Sequence, residues 1–162
     1  MPLLMTGPLS EPVTEPLAGA LSPLSGRSTP WPRDWAEQET LLERQHDRLE
    51  ACLQELLQRH GEDQPAWSGT DALVLDGACR RLLWDLHLHL RLEERWLRAR
   101  GCFCHGHGNA HREGMQAAIA GFQHAKGDRQ VCHHWLLALQ SWFLNHRHGP
   151  DAHAYALAHH QP

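Results

Sequence analysis

The sequence predicts an all-α fold, an antiparallel up-down-up-down four-helix bundle behind a disordered N-terminal extension. Three observations carry this. From Asp34 onward, apolar residues recur at helical spacing in four successive stretches. The breaks between them are short and hold Gly, Pro or Asp. Residues 1–30 are rich in Pro, Gly, Ser and Thr, with Leu scattered at no period, so they can bury no face. Amphipathic helices with short connections pack as antiparallel neighbours. The chain therefore divides into an extension, 1–30, expected to be dispensable for folding, and a bundle, 31–162.

The first helix is expected from Asp34 to about His60, with Leu42, His46, Leu49, Leu53 and Leu56 on one face. The loop Gly61 to Pro65 ends it. Ser68-Gly69-Thr70-Asp71 reads as a capping start for the second helix, which runs to about Arg100 before Gly101 breaks it. Its inward stripe is Leu82, Leu86, His89, Glu93 and Leu97. The third helix should begin within Cys104 to Gly108 and carry His107, His111, Met115 or Gly114, Ala118 and Phe122 along one face. Lys126-Gly127-Asp128 is a turn with a cap. The fourth helix presents Trp135, Leu139, Trp142 and His146, and meets Gly149-Pro150 just afterwards.

Composition excludes several classes of function. A net charge of -4 with scattered Lys and Arg offers no basic field, so no nucleic acid partner is expected. No apolar run is long enough to span a membrane. Met1 to Ser10 has no cationic residue ahead of its leucines and no cleavage site, so no signal peptide is read. The odd count of 5 cysteines fits reduced thiols in a cytoplasmic protein better than a disulfide framework. Cys102-Phe103-Cys104-His105-Gly106-His107 places soft ligands close together but has no second pair, and reads as a reduced loop. His87, His133, His134, His159 and His160 are expected on the surface.

The unusual feature is 15 histidines beside one tyrosine, and their placement. Every inward stripe carries histidine: His46, then His89 with Glu93, then His107 with His111, then His146 with Asp151. A single inward His–Glu pair is ordinarily a hydrogen-bonded pair on a half-exposed face. Five imidazoles and two carboxylates around one axis cannot satisfy one another by hydrogen bonding without large desolvation costs, whereas two metal ions use every lone pair. The i,i+4 spacings put each pair on one face. The imidazole-rich set suits iron, zinc or copper, and carboxylates able to bridge imply two ions about 3.5 to 4 Å apart.

The order of these residues resembles that of the hemerythrins and their bacterial relatives. Glu43-Arg44-Gln45-His46-Asp47-Arg48-Leu49 is similar to that family's acidic-x-Gln-His-x-x-Leu, His89 to Glu94 to its His-x-x-x-Glu-Glu, and Trp142-Phe143-Leu144-Asn145-His146 to its Trp-Leu-x-Asn-His. The resemblance runs from about Trp35 to Leu157. It implies a centre of two non-haem iron ions (Fe2+/Fe3+) that binds O2 reversibly for storage, delivery or sensing, without catalysis. One iron would take His107, His111 and His146, the other His46 and His89, and Glu93 and Asp151 would bridge them. The two-histidine iron would have room for O2, with Leu90, Trp142 and Phe143 as the apolar wall around it.

The enzyme alternative is a di-iron oxidase on the same bundle. Such sites are dominated by carboxylates and use two Glu-x-x-His words. Glu43-Arg44-Gln45-His46 supplies one, and the inward positions hold no second. The chain also departs from the hemerythrin pattern. Glu43 replaces Asp, and Phe143 replaces Leu. Arg147 and Gly149 stand where apolar residues line the family's pocket, so a leakier wall and quick autoxidation are expected. His146 and Asp151 are five apart, about 140° beyond a full turn, and Pro150 removes a backbone donor between them, so a local distortion is expected there.

Overall fold

The computed structural model describes residues 34–61 and 68–160. The expected extension, 1–30, and all but Gly61 of the first loop lie outside them. Four long helices form the predicted bundle: α1 (Trp35–Arg59), α2 (Gly69–Ala99), α3 (His105–Ala125) and α4 (Arg129–His146). They ring the axis in chain order, with α1 against α2 and α4, and α3 against α4 and α2. Among the described residues, no helix is long and apolar enough to cross a membrane.

Local sequence sets each boundary. The Asp34 carboxylate accepts from the Ala36 amide and starts α1. At α2, Ser68 and Asp71 cap each other reciprocally, the predicted capping box. Gly101, at φ 68°, takes the left-handed conformation that turns the chain out of α2. The Cys104 thiol accepts from the His107 amide at 3.3 Å and caps α3, so this thiol serves the backbone. Asp128 accepts from Val131 to start α4.

The fourth helix does not end at Gly149-Pro150. The chain passes through a π-helical turn, Arg147–Asp151, and continues as α5 (Ala152–His159). Pro150 has no amide to give the His146 carbonyl, so the α-helical ladder must break at that point. The chain takes the wider register instead, with the Ala152 amide bonded to the Arg147 carbonyl five residues back.

The apolar core falls into two clusters. The larger joins Leu49, Leu53 and Leu56 to Leu82, Leu86, Phe122, Trp135, Leu136 and Phe143. The smaller, at the other end, holds Leu42, Trp96, Leu97, Ala154, Tyr155 and Ala158. On α1 the residue between Leu42 and Leu49 that faces inward is His46. On α2 the buried positions between Leu90 and Trp96 are Glu93 and Glu94, and His89 precedes Leu90. A polar layer therefore sits between two apolar plugs.

Candidate metal centre

The seven sequence-predicted ligands meet in that layer. His46, His89, Glu93, His107, His111, His146 and Asp151 are all 0–5% exposed. Their donor atoms form two groups, each spanning no more than 4.8 Å: Glu93, His107, His111, His146 and Asp151 in one, and His46, His89, Glu93 and Asp151 in the other. The carboxylates belong to both. Asp151 turns Oδ1 to His107 (3.0 Å) and His146 (2.9 Å), and Oδ2 to His46 (3.2 Å). Glu93 turns Oε2 to His111 (3.2 Å) and His107 (3.6 Å), and Oε1 toward His46 (3.8 Å). Each carboxylate thus offers one oxygen to each group.

This reach depends on the π turn. At ideal α-helical spacing Asp151 would sit well round the helix from His146. The wider turn brings it back beneath the same imidazole. Arg147, inside the turn, ties it to α1 by pairing with Asp47 (2.6 Å), Glu50 (2.9 Å) and Glu43 (3.2 Å).

The chain's own groups leave the layer unsatisfied. Nε2 of all five histidines, Glu93 Oε2 and Asp151 Oδ1 are buried without a well-directed hydrogen bond, although oppositely charged partners lie close by. Without a cation, these seven atoms can pair only by sharing protons among crowded imidazoles and carboxylates, an arrangement that is costly to bury. Cations at the two foci use every one of these atoms, so the donor set fits a pair of metal ions. Three imidazoles and two carboxylate oxygens nearly fill one six-coordinate ion. Two imidazoles and two oxygens leave the other ion open positions.

The outward nitrogens of two of the five rings are held as metal-ligating histidines usually are. His89 Nδ1 lies 3.1 Å from Gln45 Oε1, and His111 Nδ1 lies 3.2 Å from Glu94 Oε1, so each ring's Nδ1–H is the donor and Nε2 faces inward as a lone pair. The Tyr155 hydroxyl donates to Glu93 Oε1 at 2.6 Å. Burial, with Glu93 alongside, pushes the phenol well above its ordinary range, so it stays a donor. Gln45 and Glu94 lie inside words singled out in the sequence. Tyr155, on the helix beyond Pro150, carried no signal of its own.

Electrostatics follow the crowding. Burial pulls His107 down, but Asp151 and Glu93 outweigh it and raise the ring to about 9. For His89 burial wins, and its pKa falls to about 4. Glu93 is held at about 2, because His107 and His111 overcome the effect of burial.

The wall differs in part from expectation. Phe143 is buried beside His46, ring centres 6.0 Å apart, on the two-histidine side. Trp142 instead stacks on His146, at 5.1 Å and 15°, and covers the three-histidine side. It fits because Gly114 has no side chain: a Cβ there would come within 2.1 Å of the indole. That close approach is why Gly114 is the buried residue of the Met115-or-Gly114 alternative. Leu90 is buried between the core and the α2–α3 side. Arg147 and Gly149 do not line the site, which corrects the leaky wall: Arg147 turns to the α1 carboxylates, and Gly149 is exposed with open space where a side chain would go. His87, His134, His159 and His160 are exposed as expected, His133 is half-buried, and the five cysteines are free thiols.

Comparison with protein families, with characterised proteins and with solved structures finds no match to this chain.

Proposed function

We propose that this chain holds two non-haem iron ions in its polar layer and binds O2 reversibly, in the manner of the hemerythrins it resembles, without turning it over. The observation that supports this most is the division of donors: three imidazoles on one side, two on the other, and both carboxylates shared. A histidine-dominated centre with one open side suits binding, whereas carboxylate-dominated centres are built for oxidation. The ion pair would supply the one chemistry that side chains lack, reversible donation of electrons to O2.

The chain's own residues would do the rest. Gln45 and Glu94 fix the tautomer and angle of His89 and His111. Tyr155 keeps Glu93 Oε1 anchored while leaving the carboxylate ionised. Phe143, with the two apolar clusters above and below, excludes water from the two-histidine side.

The test is metal content together with a spectrum. Iron-loaded protein should hold two irons per chain, and the reduced form should gain a visible band under O2 and lose it under argon over repeated cycles. A single zinc as the stable occupant would remove the di-iron reading. Two irons that consume O2 and stay oxidised, with no band even at millisecond times, would move the oxidase reading ahead.

A further inference from the structure

We infer that the groove between α2 and α3 is a binding site for an amphipathic organic carboxylate, a short apolar body with one anionic end. The groove encloses about 470 Å³, within the range that holds a small molecule. Its apolar lining comes from Leu90 on α2, Met115 and Ile119 on α3, and Phe103 from the connection between them. Ile119 is 41% exposed and offers apolar surface at the mouth of the groove for an occupant to cover.

The charged lining is one-sided. Arg91 and Arg98 come from α2 and Arg112 from α3, against a single carboxylate, Glu94; three positive charges less one leaves two. Glu94 is already committed. Its Oε1 meets His111 Nδ1 at 3.2 Å, and its Oε2 accepts from Arg98 at 3.2 Å. Arg98 is also fixed from the other side, with its guanidinium 4.1 Å above the Phe103 ring. Arg91 is only 3.8 Å from the same Glu94 oxygen, and Arg112 bonds the neutral Asn109 side chain at 2.7 Å. These two guanidiniums, one from each helix, keep donors for an incoming carboxylate. A simple inorganic anion would leave the apolar lining bare, and a neutral or cationic amphiphile would leave the arginines unmatched. The site does not require metal in the layer behind it, so it stands or falls separately from the iron reading.

The test uses octanoate as probe, by calorimetry on the full chain, as purified and after chelation of metal. Octanoate should saturate one site per chain in both forms, with 1-octanol and octylammonium at least about tenfold weaker. Arg91→Gln and Arg112→Gln, at exposed positions that leave the core intact, should each weaken octanoate by about tenfold, the loss of one charge-assisted contact. Arg44→Gln, on α1 away from the groove, should not. The inference is overturned if octanoate does not saturate, if octanol or octylammonium binds equally well, if inorganic phosphate competes as strongly as octanoate, or if Arg44→Gln has the same effect as the groove variants.

Discussion

Asp151 Oδ1 lies 2.9 Å from His146 Nε2 although the two stand five positions apart in the chain, and the π turn between is what closes that distance. Pro150→Ala should test it. The new amide can bond to the His146 carbonyl, so the α-helical register becomes available and carries Asp151 away from the layer. Metal affinity should fall by about tenfold, in the range seen when a ligand's support is lost. Competition against a chelator measures it, and unchanged affinity would mean the turn is held by packing alone.

Arg147 is the other hold on that turn. Its side chain is 17% exposed and pairs with three α1 carboxylates, a geometry better than an isolated surface pair. Arg147→Met should cost about 1–2 kcal/mol, since a half-buried network exceeds the value of one exposed bridge. It should also speed metal loss. A denaturation midpoint that drops while metal release stays at the parent rate would make Arg147 a stability residue only.

Much of this was legible in the sequence because helical period and ligand order point the same way. A histidine at an inward position among leucines, as at His46 and His89, is a strong signal: burial of an imidazole in a core needs a reason. Residues whose role depends on a long-range approach were not legible. Trp142 falls on the inward stripe, yet which ring it covers is decided by the missing side chain of Gly114 on another helix. Tyr155 lies beyond a Gly-Pro pair that ordinarily ends a helix, and only the π turn carries it back to Glu93. Arg147, read as an intruder in the pocket, faces away because the wider turn rotates it onto α1.

Gly114→Ala offers a direct check on packing. The added methyl would meet the Trp142 indole at 2.1 Å, so the ring must leave its stack on His146. Overpacking of this kind costs about 1–3 kcal/mol, offset in part by the gain of about 1 kcal/mol in helix propensity. A thermal midpoint equal to or above the parent's would show that the indole moves freely.

Tyr155→Phe removes only the hydroxyl that donates to Glu93 and leaves the ring against Trp96, whose centre is 4.8 Å away. A buried carboxylate losing such a bond should cost about 1.5–3 kcal/mol. Midpoints measured with and without metal separate the two roles of Glu93. If the loss is the same in both, the hydroxyl supports the fold rather than the bound metal.

Metal removal should reshape the dependence of stability on pH. In the metal-free chain His107 has a pKa raised to about 9, so its stabilisation is fully present below its unfolded value near 6.5 and is lost as pH rises through 9. His46 is raised as well and acts in the same direction, since its carboxylate partners outweigh its burial. His89, lowered to about 4 by burial, does the opposite: its contribution is present above about 6.5 and lost as pH falls toward 4. Glu93, held at about 2, adds a further loss below its ordinary value near 4.5. The metal-free protein should therefore be most stable near pH 6.5 and weaken on both sides. With metal bound, the imidazoles must be neutral to ligate, and rising pH strengthens rather than weakens their hold. The alkaline decline should vanish, so the gap between loaded and metal-free thermal midpoints should widen steadily from pH 6.5 to 9. Parallel midpoint curves over that range would mean that the metal is not held by His107 and His46.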